Sequence, residues 1–284
     1  ITQPAVTRGL HEVEGVLGVQ LFTRDHRGVT MTIFGEAFVE HARELLGRLQ
    51  QAEKHVRELA AADVGTVSVG AHLTGSNVLL PRAILGLKEE RPGVTVIVRE
   101  GSPRSMIAGL LDGSLDVTVG RLVTNEPAKG LEQYRLYEEP TRLTCRIGHP
   151  ARELAAPTLA DLAGYTWLFP VEGTSLRQEI EGEFRRWNIP LPRNRIECTS
   201  LATIRTLLLE SDAVALLPFL IIDADPDLVA LPTPLPTIRR VVGMTVRKGP
   251  RHSPSTELLM KHLGRVGERV RRNIDPAAAV ASLG

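Results

Sequence analysis

Thr2-Gln3-Pro4-Ala5-Val6-Thr7-Arg8, Leu17-Gly18-Val19-Gln20-Leu21-Phe22-Thr23-Arg24 and Thr32-Ile33-Phe34-Gly35-Glu36 decide the fold. Thr2 is a capping residue and Pro4 is tolerated in a first turn, so a helix is expected from there to about Leu17. Gly18 supplies the left-handed stop. Val19 to Arg24 then alternates toward the turn Asp25-His26-Arg27-Gly28, and Val29 to Met31 returns, which is the pattern of a small hairpin. Thr32 is a second capping site. From it a helical pattern runs to about Ala61, with no proline until Pro81.

The long helix carries its own message. Phe38, Ala42, Leu45, Leu49, Ala52, Val56 and Leu59 are separated by alternating steps of four and three residues, the a/d seam of a coiled coil. At ~1.5 Å per residue the helix is on the order of 40 Å long, too long to bury itself within one small domain. The seam therefore predicts a partner helix in a second copy, with Phe38, Leu45, Leu49, Val56 and Leu59 as its contacts.

Past Asp63 the texture changes. Strands are expected at Thr66–Ala71, Val94–Glu100 and Leu115–Gly120, separated by helices over Val78–Glu90 and Ser105–Asp112. The same grammar recurs with strands Arg142–Ile147, Trp167–Pro170, Arg195–Cys198 and Ala213–Leu217 and helices Leu176–Trp187 and Leu201–Glu210. Strands spaced by such helices imply parallel pairing with crossovers. Strand Val241–Val246 and helix Ser255–Val270 have no partners in the second series and are expected to return to the first lobe. The fold class is therefore α/β, and the units expected are residues 1–32, a helix 33–62, one lobe from 63–141 with 240–272, a second lobe 142–239, and a frayed tail 273–284.

Composition excludes several classes. With 284 residues, 43% of them hydrophobic and 24% charged, the chain is an ordinary globular protein of more than one domain. Its longest apolar run, Ala213 to Ile222, is far short of the ~20 residues that span a bilayer. Residues 1–8 do not read as a secretory signal, so a cytoplasmic protein is expected, and the missing initiator Met points to an incomplete N-terminus. Cys145 and Cys198 lack metal or redox spacing and read as two reduced thiols. No cofactor is expected. There is no P-loop, no nucleophile elbow around Gly75-Ser76 and no zinc-type histidine pair among the eight His residues, so an enzyme is not expected. Glu89-Glu90 and Glu138-Glu139 read as solvated charge, and Trp167 and Phe169 as core.

The three opening stretches, with Glu14 and Gly28-Val29, resemble the LysR-type transcriptional regulators. The resemblance continues through Gly101-Ser102-Pro103, Leu110–Asp116, His149-Pro150 and Leu207–Pro218, some 270 residues in all. It implies a winged helix-turn-helix, here partial because two preceding helices of about 20 residues are missing. It also implies a linker helix and a two-lobed effector domain like the type 2 periplasmic binding proteins. Gln3, Pro4, Thr7, Arg8 and His11 are then the residues expected in a major groove of promoter double-stranded DNA, with Arg24 and Arg27 at phosphates. A homodimer, and through the lobes a homotetramer, is implied as well, with no membrane association.

A small effector, anionic or polyhydroxylated, is expected between the lobes. Helix starts that follow strands offer free N–H groups and hydroxyls at Thr74, Ser76, Ser102, Thr174, Ser175, Ser200 and Thr203. His72, Arg104 and Arg121 are the side chains expected to add charge, Arg121 foremost because it follows a strand end. Gly101–Ser105 with Glu197-Cys198-Thr199-Ser200 is similar to regulators of aromatic-acid or sugar catabolism. The alternative reading is a periplasmic-type solute-binding protein, for which the heptad helix has no use.

Overall fold

A computed structural model of the chain describes all residues except 1, 27, 61–64, 72–74, 123–128, 234–238, 250 and 275–284. Helix α1 (Gln3–Leu17) ends at Gly18, whose φ of 70° is the left-handed stop expected of it. Thr2 is extended as a cap should be, yet its hydroxyl makes no capping bond. Pro4 brings no N–H, which removes one of the donors such a cap serves. Strands β1 (Phe22–Asp25) and β2 (Gly28–Met31) form the expected antiparallel hairpin. Thr32 does cap helix α2 (Ile33–Ala60): its Oγ1 accepts from Gly35 N–H at 3.0 Å and donates to Gln20 O at 2.7 Å. Gly35 is required here, since a Cβ would lie 2.0 Å from Leu21 O.

The rest is one nine-stranded sheet in two halves. In the first, β3 (Thr66–Ala71), β4 (Thr95–Glu100) and β5 (Val117–Arg121) are parallel, and β11 (Arg239–Arg247) joins β5 antiparallel. In the second, β7 (Thr166–Phe169), β8 (Arg195–Glu197) and β9 (Ala213–Pro218) are parallel, with β9 antiparallel to β6 (Leu131–Arg146). The short β10 (Leu228–Ala230) pairs the end of β6. Helices α3 (Leu80–Glu90), α4 (Pro103–Asp112), α5 (Ser175–Arg186), α6 (Leu201–Glu210), α7 (Phe219–Asp223) and α8 (Pro254–Ile274) complete the chain, a π-helical turn at Gly75–Leu79 preceding α3. Among the described residues no helix is long and apolar enough to cross a membrane.

Strand β6 departs most from expectation. The sequence suggests a strand only from Arg142, but β6 begins at Leu131. Its first ten residues, Leu136 excepted at a register shift, pair with β11 and the next four with β9, the exchange falling at Pro140/Thr141. The early part carries the exposed Glu132, Arg135 and Glu138 and reads as polar loop until β11 is beside it. Glu139 is a further correction: alternation turns it inward from Glu138, and it is 1% exposed rather than solvated. Its Oε1 accepts from Leu220 N–H at 3.4 Å.

Two core clusters dominate, and the larger crosses the junction of the halves, with Leu168, Ala215 and Leu217 of β7 and β9 among its members. The larger gathers Val67, Val69, Leu79, Leu87 and Val117 with Val242, Leu259 and Leu263 of β11 and α8. The other is built on Trp167, Phe169, Ile180 and Phe184, the Trp167 and Phe184 rings meeting edge-on at 5.2 Å. Trp167 Nε1–H is satisfied by Leu162 O at 2.9 Å, so this indole belongs to the core, as expected. Trp187, at the end of the same helix, is 52% exposed. We predict that Phe184→Ala costs about 3–5 kcal/mol and Trp187→Ala less than about 0.5 kcal/mol, read as thermal-midpoint shifts. Equal shifts would contradict the packing described.

Candidate functional site

A cleft of about 740 Å³ lies where the two halves of the sheet meet. The first half contributes Ser102 and Met106 of the α4 start and Thr118 to Leu122 at the end of β5. The second contributes Thr174 and Glu179 around α5, Thr199 and Leu201 at the start of α6, and Ala215 to Pro218 of β9. Three helix N-termini thus border one space. Each exposed terminus favours an anion by only about 0.3–1 kcal/mol, so their joint effect depends on convergence.

Of the residues expected here, Ser102, Arg121 and Thr174 line the cleft. Ser102 Oγ accepts from Ser105 N–H at 3.2 Å and Thr174 Oγ1 from Arg177 N–H at 3.3 Å, so both also cap their own helices. Ser200 caps α6 through Thr203 N–H at 3.3 Å; both are exposed beside the lining residues. Arg104 is exposed on α4 and is not among the lining residues. His72 and Thr74 lie outside the described residues, as do the side chains of Ser76 and Ser175.

Arg121 is buried to 17% side-chain exposure and faces Glu179 of α5, Nη1 to Oε2, at 3.7 Å. Its Nη2 donates to Thr141 Oγ1 at 3.3 Å. Burial pushes its pKa below the usual arginine range, against the pull of the Glu179 and Glu139 carboxylates. Arg240 Nε donates to Glu179 Oε1 at 2.6 Å. Sequence reasoning missed Glu179 and Arg240. Nothing in their local patterns marks them, because the pairing exists only once α5 and β11 are brought together. Arg177, also missed, knots the α5 start: its Nη1 donates to Pro170 O at 3.0 Å and pairs with Glu197 at 2.9 Å, and its guanidinium stands 5.0 Å over Phe169.

Both cysteines are free. Cys145 is fully buried, which pushes its thiol up to about 11, while Cys198 borders the cleft. Among the described residues no group of three or more His, Cys, Asp or Glu side chains is placed to hold a metal ion.

At the other end of the chain, Gln3, Pro4, Thr7, Arg8 and His11 share one open face of α1, as their spacing requires. Arg8 forms only an exposed pair with Glu12 at 3.2 Å, which leaves its guanidinium available. Arg27 and the side chain of Arg24 lie outside the described residues. Glu14 has a part that spacing does not disclose: its Oε1 accepts from Leu21 N–H at 2.7 Å and Phe22 N–H at 3.2 Å, pinning the hairpin to α1.

Helix α2 connects the two regions with one face on the first half-sheet and the other in solvent. Glu58 is 7% exposed; its Oε2 accepts from Ser255 N–H at 3.0 Å in the first turn of α8 and its Oε1 from Thr66 N–H at 3.2 Å in β3. It thereby caps a helix of the sheet domain from outside. Lys54 pairs with Asp116, which also accepts from Ser68 N–H at 2.7 Å. Gly47 allows the approach, since a Cβ would lie 2.5 Å from Arg247 Nη1. On the opposite face Leu45, Leu49, Val56 and Leu59 are 63–68% exposed, with Phe38 half-buried.

The comparisons with known proteins cover both regions. A model of the "LysR substrate binding domain" matches residues 60–268, and one of the "Bacterial regulatory helix-turn-helix protein, lysR family" matches residues 1–36. The HTH-type transcriptional regulator PcaQ of Agrobacterium fabrum is 33% identical over 264 residues, 92% of this chain and 85% of that protein. GbpR of Azospirillum brasilense, another HTH-type transcriptional regulator, is 32% identical over 215 residues, 75% of this chain and 63% of that protein. A full-length OxyR variant of Pseudomonas aeruginosa superposes with a TM-score of 0.67 at 25% identity, covering 94% of this chain and 86% of that one. Full-length CbnR in complex with its target DNA gives 0.57 at 26% identity, covering 94% and 91%.

One titration follows from the docking of α2. His252 lies beneath it, its Nδ1 3.3 Å from Gln51 Nε2 and its carbonyl 2.9 Å from His55 Nδ1. Burial lowers its pKa below 6.5, with the carboxylates of Glu257, Asp116 and Glu132 opposing the shift. The unfolded chain takes up this proton first, so the stabilisation is complete above about pH 6.5 and is lost as pH falls through the lower folded value. The thermal midpoint is expected to fall between pH 7.5 and 5.5, and to fall less in His252→Asn. Parallel pH profiles for the two proteins would show that His252 is not the group responsible.

Proposed function

The chain belongs to the LysR family of transcriptional regulators, and on that premise we propose that it binds a small anionic or polyhydroxylated metabolite between its lobes and passes the binding through α2 to DNA. The observation that carries this reading is the convergence of Arg121 and the starts of α4, α5 and α6 on one cleft. The lobes are read as residues 63–141 with 240–272 and residues 142–239, meeting where β6 changes partner. Ser102, Arg121 and Thr174 are the contacts favoured by position.

Gln3, Pro4, Thr7, Arg8 and His11 face the major groove in this reading, supported by their shared open face and by the likeness to a regulator captured on its target DNA. The exposed seam of α2 pairs with a second copy, and lobe contacts extend the dimer to a tetramer. The protein acts in the cytoplasm and performs no catalysis. A ligand acts only by binding one arrangement of the lobes better than another, so the effector shifts a population that the DNA contacts report.

A thermal-shift screen of aromatic carboxylates, sugar acids and sugars tests the cleft. A ligand at 100 times its dissociation constant adds about 2.7 kcal/mol, and Arg121→Met should abolish that gain. A tight binder indifferent to Arg121→Met would move the site elsewhere. On DNA fragments selected by the intact regulator, Arg8→Ala is expected to weaken binding by the equivalent of about 1–3 kcal/mol while leaving cleft binding unchanged. Undiminished affinity would remove Arg8 from the interface. Leu49→Glu should convert the dimer to monomer by light scattering, and an unchanged mass would place the dimer contact off the seam.

A further inference from the structure

Three charged side chains from both halves of the sheet meet at the cleft. Arg121 ends β5 and Arg240 begins β11, while Glu179 reaches them from α5. Glu179 Oε1 is taken by Arg240, whose Nε donates at 2.6 Å and whose Nη2 lies against the same oxygen. Glu179 Oε2 faces Arg121 Nη1 at 3.7 Å, too far for a hydrogen bond, and both atoms are buried without a hydrogen-bond partner. The carboxylate is therefore satisfied on one oxygen and strained for a partner on the other, and Arg121 keeps an unused donor.

A pair in this state is poised for exchange. Buried charges persist only when paired, so Glu179 cannot leave unless another anion takes its place. A carboxylate entering the cleft replaces it charge for charge, and a planar guanidinium holds such a group through two parallel bonds. A neutral polyol offers no such replacement. We propose that Glu179 is an internal competitor for the effector's acidic group: its carboxylate occupies the Arg121–Arg240 pair that a carboxylic acid effector takes, and the exchange frees α5 from β5 and β11. This rests on the reading of the cleft as the effector site and narrows it to carboxylic acids over neutral sugars.

Acetate, with acetamide as its neutral twin, probes the exchange in the whole chain at constant ionic strength. In Glu179→Gln the two cations have lost the carboxylate they share, leaving only Glu139 near Arg121, so acetate should raise the thermal midpoint saturably, with a half-effect concentration at least ten times lower than in the unaltered protein. Acetamide should do nothing, and the double variant Arg121→Met/Glu179→Gln should lose the response. If Glu179→Gln does not fold, Glu179→Asp serves, its shorter arm giving an intermediate concentration. Superimposable acetate titrations of altered and unaltered protein, both abolished by Arg121→Met, overturn the competition and leave the cleft reading standing. No saturable response in any variant removes the anion site, and the competition with it.

Discussion

Strand β6 has to serve two half-sheets at once, and the rest of the structure depends on how it does so. It is hydrogen-bonded to β11 as far as Pro140 and to β9 from Thr141, so two half-sheets share a single strand and one large aliphatic core runs across their junction beside a smaller aromatic one. The cleft is the geometric remainder of that exchange. The strand ends and helix starts of both halves point toward it because each half is wound in parallel βαβ fashion, which places crossover termini on the same side. Gly243 lets β11 follow, since a Cβ there would sit 2.2 Å from Tyr134 O where the ladder register shifts.

Helix α2 carries the consequence outward. Its contact with the sheet domain is made by polar groups, Glu58 at the α8 start and Lys54 at Asp116, rather than by its leucines. Direction matters more than strength here. Charge-assisted bonds fix orientation, so they set the direction in which α2 leaves the first half-sheet. The leucines remain on the outer face, free for association. One helix thus keeps its docking groups and its exposed leucines on opposite faces.

The sequence discloses much of this and stops at a definable point. Helix α6, strand β3 and the hairpin were legible because alternation, caps and Gly18 are local signals, and the Thr32 cap does what its spacing implies. Thr2 marks the start of α1 as expected, though its hydroxyl makes no capping bond. The first half of β6 was illegible because its charged residues make sense only beside β11, and Glu139 looked solvated because its inward turn depends on the same pairing. In the cleft, Ser102, Thr174 and Arg121 were found from their places after strands. Glu179 and Arg240 were not, since residues 61 positions apart become partners only through the fold. Cap residues are readable from spacing, whereas ion pairs across a lobe boundary are tertiary facts.

The central claim is that a ligand in the cleft changes how the lobes stand to one another. Spin labels at Leu85 and Trp187, both exposed and on opposite halves, report that relation by pulsed electron resonance. With a saturating compound whose binding Arg121→Met abolishes, the account predicts a displaced or narrowed distance distribution. An unchanged distribution under saturating ligand would contradict it.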